Sequence, residues 1–112
     1  MFSIYKYPVL LNEETESMYV SIPTGSEVIS VDLIDSTTAY IYAIVDQEVD
    51  SFEIREILWL GTGWNLDQET RDKMSYYEFL GTCKINDLKN NLVYHFWIEY
   101  EYHPMDDLFF LT

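Results

Sequence analysis

Val93-Tyr94-His95-Phe96-Trp97-Ile98-Glu99-Tyr100-Glu101-Tyr102 decides the fold class. Read at a period of two, one set of positions is Tyr94, Phe96, Ile98, Tyr100 and Tyr102. The other is Val93, His95, Trp97, Glu99 and Glu101. Successive side chains of a strand point to opposite faces, so this stretch predicts a β-strand with an apolar face inward and a mixed face outward. A helix would scatter the same aromatics around its circumference.

The same test applied toward the N-terminus finds more strands. Residues 26–34 place Val28, Ser30, Asp32 and Ile34 on one side and Ile29, Val31 and Leu33 on the other. Residues 38–46 contain Tyr40-Ile41-Tyr42-Ala43-Ile44-Val45, apolar on both sides, which predicts a central strand. Residues 51–60 set Phe52, Ile54, Leu58 and Leu60 against Glu53, Arg55, Ile57 and Trp59. Residues 77–85 read as a further strand, and residues 3–11 and 18–22 as extended. Pro8 has no N–H to give to a ladder and predicts an edge position for the first of these. Turn signals stand at Pro23-Thr24-Gly25-Ser26, Asp35-Ser36-Thr37, Gly61-Thr62-Gly63 and residues 86–91.

One short helix is expected near residues 66–74, capped by Asn65 or Asp67. Asp67 and Glu69 lie at its start and Arg71 and Lys73 at its end, the order that the helix dipole favours. The reading is a mainly β chain, a β-rich α+β fold. It is an antiparallel sandwich or partly open barrel of about six to seven strands. Residues 1–112 form a single domain with an acidic, aromatic C-terminal tail at about 99–112.

Twenty Asp and Glu stand against six Lys and Arg, a formal charge of −14. Ten Tyr, six Phe and three Trp mark the chain as foldable, because disordered acidic segments are poor in such residues. The charge repels nucleic acid and anionic membrane and points to a basic partner. No stretch approaches the roughly 20 apolar residues that span a bilayer. The N-terminal residues lack the apolar run and small-residue cleavage site of a signal peptide. Cys83, the single cysteine, reads as a small buried hydrophobe and can form no internal disulfide, which suits a reducing cytosol. A cytoplasmic location is the expectation.

Catalytic signals are weak. There is no Gly-x-Ser-x-Gly elbow, and Gly61-Thr62-Gly63 is too short, and lacks the following lysine, to cradle phosphate. His95, Glu99 and Glu101 share one side of a strand, but His95 and Glu99 would stand about 13 Å apart, too far to share a metal unaided. His103 with Asp106 and Asp107 beside Pro104 reads as a solvated tail. No nucleophile, base and orienting group occur as a set, so neither an enzyme nor a cofactor is expected. Two echoes remain, Leu60-Gly61-Thr62-Gly63 after Trp59 and Leu80-Gly81-Thr82-Cys83 after Phe79. They read as two strands that each need a glycine at a close approach.

Certain segments, in order, resemble a family of small domains common in tailed phages and prophages. They are Ile4-Tyr5-Lys6-Tyr7-Pro8, Ile22-Pro23-Thr24-Gly25-Ser26 with Ile29-Ser30-Val31, Tyr42-Ala43-Ile44-Val45-Asp46, Leu60-Gly61-Thr62-Gly63, Tyr77-Glu78-Phe79-Leu80-Gly81-Thr82 and Val93-Tyr94-His95-Phe96. The resemblance implies a β-rich phage accessory protein and assigns no site residue. An insertion between Asn65 and Ser75 and the tail from Glu99 to Thr112 depart from the family pattern.

The functional expectation follows from charge and this resemblance: a phage protein that binds and inhibits a basic, nucleic-acid-handling host protein. DNA phosphates along one strand and alternate residues on a β-strand face share a spacing of about 7 Å. Asp46-x-Glu48-x-Asp50 and Glu99-x-Glu101 are therefore expected to imitate a phosphate row. Glu53, Asp106 and Asp107 would extend the acidic surface, and Trp97 would serve as an apolar anchor. Two alternatives are a nucleotide or small-molecule sponge, which needs Arg55, Arg71, Lys73 and Lys84 to converge, and a minor virion or assembly component. The run Leu108-Phe109-Phe110-Leu111 is expected to tuck against its own domain, or else to form a homo-oligomer interface.

Overall fold

The computed structural model describes residues 1–12, 16–86 and 91–100. Among them seven strands and one helix occur in the order β1 (Phe2–Leu10), β2 (Ser17–Pro23), β3 (Glu27–Asp35), β4 (Thr38–Asp46), β5 (Phe52–Gly61), α1 (Gln68–Met74), β6 (Tyr77–Asn86) and β7 (Asn91–Glu99). They pair antiparallel in two sheets, β1-β4-β3 and β2-β5-β7-β6, which pack face to face as a sandwich. The barrel alternative is not formed. No helix among the described residues is long and apolar enough to cross a membrane.

The period-two reading of β7 holds in three dimensions. Phe96 and Ile98 are fully buried between the sheets and Tyr94 packs on the same core. The strand ends at Glu99, short of the Tyr102 that the alternation suggested. β4 lies between β1 and β3, as its two apolar sides require, and Ala39, Ile41, Ala43 and Val45 are buried. Pro8 sits in β1, which among the described residues pairs only with β4. In β5 it is the side holding Arg55, Ile57 and Trp59 that meets the core, while Phe52 and Ile54 on the other side are exposed.

Three register shifts, two in β3 (the second between Leu33 and Asp35) and one in β6, move residues off the simple alternation. In β3 the register shifts between Val28 and Ser30, so Val28 and Val31 both pack on the core and Ile29 is exposed. A bulge leaves one residue unopposed and flips the face of those that follow. In β6 the shift falls between Phe79 and Gly81. Beyond it β6 runs close to β3: a Cβ on Gly81 would lie 3.1 Å from Val31 Cγ1, and Cys83 Sγ lies 3.6 Å from the Val31 carbonyl oxygen. The glycine lets a core side chain of the facing sheet come close.

Turn chemistry sets the connections. Ser26 donates its N–H to the Pro23 carbonyl at 3.1 Å, and Gly25, third residue of this turn, has φ of 81°, a region costly to any residue with a Cβ. The β3–β4 hairpin is closed by Asp35, whose Oδ1 accepts from the Thr37 N–H and hydroxyl at 2.8 and 2.9 Å. Those bonds hold the Asp35 carboxyl below the usual range. Helix α1 is capped by Asp67, which accepts the Thr70 N–H at 2.7 Å.

Candidate functional site

The outer face of β2-β5-β7-β6 concentrates the chain's most distinctive side chains. Registers place Ser17, Leu58, Trp97 and Phe79 in one row across the four strands. Trp97 and Phe79 meet edge to face with centroids 5.4 Å apart, a geometry that aligns ring edge with ring face. Phe79 is 55% exposed. Tyr19, Ile54 and Phe52 continue the face along β2 and β5, each more than half exposed. The three-stranded sheet also exposes Phe2, Ile4 and Leu10 on its outer side. It lacks the polar fittings described next.

The next row holds Leu60, His95 and Thr82. His95 Nε2 lies 2.7 Å from the Thr62 hydroxyl and Nδ1 lies 2.9 Å from the Thr82 hydroxyl. The two Leu-Gly-Thr echoes thus flank β7 and grip one imidazole from both sides. Each hydroxyl can either donate to or accept from the ring nitrogen that it faces. Gly61 of the first echo has its own close neighbour: a Cβ there would lie 2.5 Å from Trp64 Cε2. Both ring nitrogens being occupied, His95 is held rather than offered as a base or a metal ligand. His95 and Glu99 have separate partners, since Glu99 Oε1 accepts the Glu56 N–H at 3.2 Å.

The row of this face beyond Trp97 holds a buried polar cluster. Glu56 is 6% exposed. Its Oε1 takes a hydrogen bond from the Tyr77 hydroxyl and pairs with Lys73 Nζ at 2.9 Å. Burial alone would raise the Glu56 carboxyl, but hydrogen bonds from Tyr77, Lys73 and Ser17 and the charge of Lys73 outweigh it and hold it low. Burial, then the Glu56 carboxylate, pushes the Tyr77 hydroxyl well above 10.0. Lys73 also lies 5.7 Å from the Tyr77 ring centroid. Helix α1 buries none of its side chains, so this lysine is its main tie to the sheet.

The sequence-predicted acidic surface is not one surface. β4 ends at Asp46, and Gln47 and Glu48 turn away, so Asp46, Glu48 and Asp50 are not alternate residues of a strand and the phosphate-like pitch does not apply to them. The Met1 amine stands 3.7 Å from Asp46 and 3.8 Å from Glu48. Glu53 is turned to its own fold: Oε1 accepts the Gly25 N–H at 2.7 Å and Oε2 lies 3.3 Å from Arg55 Nε. Glu99 is engaged by Glu56 as above. Asp50 is exposed. Trp97 is in the outer face, half-buried. Glu101, Asp106 and Asp107, with the run Leu108–Leu111, lie outside the described residues.

The cations that a nucleotide site would need do not converge. Arg55 lies inside the sandwich, its Nη2 bonding the Ser26 carbonyl at 2.9 Å. Lys73 is on the opposite side of that sheet with Glu56, and Arg71 and Lys84 are exposed on α1 and β6. Among the described residues no three His, Cys, Asp or Glu side chains are grouped to hold a metal ion.

The described residues thus form an antiparallel β-sandwich with aromatic side chains and a doubly hydrogen-bonded histidine on one outer face. The chain belongs to a family described as Domain of unknown function (DUF7352), whose model matches residues 1–106. No curated protein and no solved structure matches it.

Proposed function

We propose that this chain is a non-catalytic protein-binding module of phage origin, acting in the host cytoplasm on a basic host protein that handles nucleic acid. The observation that carries the reading is the outer face of β2-β5-β7-β6, where Phe79 lies against Trp97 and Tyr19, Ile54 and Phe52 are exposed further along β2 and β5, in a chain of charge −14. Exposed aromatic side chains are enriched among interface hot spots. The net charge speeds encounter with a basic partner and adds salt sensitivity, and the aromatic face sets the contact. Inhibition follows from occupying the partner's basic surface. The dispersal of the carboxylates favours general charge attraction over a strand-borne copy of a phosphate row.

The test is capture from a bacterial lysate on immobilised protein, at low and at high salt, beside a Tyr19→Ser/Phe79→Ser variant. The reading expects one basic protein held at low salt, released at high salt, and lost from the variant. Equal capture by the variant refutes the aromatic face, and capture of no basic protein refutes the partner class.

A further inference from the structure

At the end of the sandwich beside the Pro23–Ser26 turn the two sheets part. The opening is a half-open cleft of ≈ 390 Å³, near the lower end of ligand-pocket sizes of roughly 300–1,000 Å³. One wall is Gly25, Ser26, Glu27 and Val28, leading into β3. The other is Arg55 of β5, Ile98 and Tyr100 at the end of β7, and Glu78 at the start of β6. The chemistry of this lining is mixed in a particular way. Val28 and buried Ile98 are aliphatic, Tyr100 presents an aromatic ring that is 56% exposed, and Glu27 and Glu78 are exposed carboxylates.

Arg55 is the cation that would suggest an anionic ligand, and its surroundings argue otherwise. It is 6% exposed, its Nε lies 3.3 Å from Glu53 Oε2, and its Nη2 donates to the Ser26 carbonyl. Its charge is met by a carboxylate that does not line the cleft, and it braces the turn to β5. Glu27 and Glu78 are left to set the sign of the opening. Neither appears in any ion pair among the described residues.

We propose that this cleft receives the side chain of an arginine or lysine of the partner protein. The aliphatic stem would lie along Val28 and Ile98, and the cationic head would sit between Glu27 and Glu78 against the Tyr100 ring. Long basic side chains bury their stems on apolar surface while the head stays with polar groups, and cations are drawn to aromatic faces. The proposal rests on the reading of a basic partner and assigns it a point of entry.

The probe is N-acetyl-arginine amide, titrated into isotope-labelled protein and followed by amide chemical shifts, with N-acetyl-citrulline amide as the uncharged isostere. The expected result is saturable shifts confined to residues 25–28, 78 and 98–100, absent with the citrulline probe. Glu27→Gln/Glu78→Gln should weaken the apparent affinity about tenfold, whereas Glu16→Gln/Glu69→Gln, of equal net charge, should leave it unchanged. Non-saturating shifts spread over the acidic surface, equal shifts with citrulline, or equal weakening by both double variants would overturn it. Lysate capture does not enter this readout, so the cleft can fail while the partner reading stands, and the reverse.

Discussion

Replacing Tyr77 by Phe removes one oxygen and almost no volume from the buried cluster on the outer face. Tyr77 is 8% exposed and its hydroxyl donates to the carboxylate of Glu56, itself 6% exposed. A hydrogen bond to a charged group contributes about 1.5–3 kcal/mol, more where the charge is buried and cannot turn to water. Glu56 keeps Lys73 at 2.9 Å and its bond from Ser17, so the loss should fall in the lower half of that range, about 1.5–2 kcal/mol. For a small domain that is a shift of roughly 1 M in the urea midpoint. The assay is urea unfolding at pH 7 followed by tryptophan fluorescence, for the wild type, Tyr77→Phe, Glu56→Gln and the double variant. We expect a coupling energy of about 1–2 kcal/mol between the two sites. A coupling below about 0.3 kcal/mol would refute the reasoning, since the hydroxyl and carboxylate would then be acting independently.

The same cluster sets two pH limits. Glu56 titrates in the fold below its ordinary 4.5, so the stability it contributes is present above that value and is lost as pH falls through its folded pKa, which acid unfolding of Glu56→Gln beside the wild type would reveal. Tyr77 is held neutral above its ordinary 10.0, so stability should fall as pH rises past about 10, where the unfolded phenol ionises, and Tyr77→Phe should flatten that slope. Gly61→Ala would drive a Cβ into the Trp64 indole. Because Trp64 is 43% exposed it can swing out, so we expect a loss of about 1 kcal/mol with a red shift of tryptophan emission as its contact with Tyr94 breaks. Cys83 is half-buried, and burial pushes its thiol up, so it should react with a thiol reagent far more slowly in the native protein than in urea.

Much of the fold was legible because alternation is a local signal. β4 was bounded at both ends from sequence, and the inward side of β7 was read residue by residue. The errors sit at bulges. Nothing local marks Ile29 as the residue that steps out of β3, since the shift is settled by which neighbours pack across β4. In β5 the sequence offers two apolar sides. Ile57 and Trp59 face the other sheet because Val20 and Ile22 of β2 and Phe96 and Ile98 of β7 lie on that side with them. The candidate site was less legible. Carboxylate spacing assumed a strand beyond Asp46, where the chain turns. Glu53 and Glu99 look free in sequence, and their partners, the Gly25 and Glu56 amides, are 28 and 43 residues away. The repeated Leu-Gly-Thr was visible, but its meaning depended on knowing that β5 and β6 both border β7.

That last arrangement bears on how the chain avoids a wrong pairing. β7 offers a repetitive inner side, Tyr94, Phe96 and Ile98, and Tyr100 follows at the same period just beyond its end, so sliding it by two residues would still turn an aromatic or aliphatic group inward. Core packing alone discriminates poorly between such alignments. On the outer side the slid strand would bring Val93 or Trp97 between Thr62 and Thr82, and neither can satisfy two hydroxyls. His95 can, and only in one alignment with both neighbours at once. The imidazole therefore works as a key cut for two locks, distinguishing the native alignment of the sheet from its nearest competitors at a position that the hydrophobic pattern leaves ambiguous.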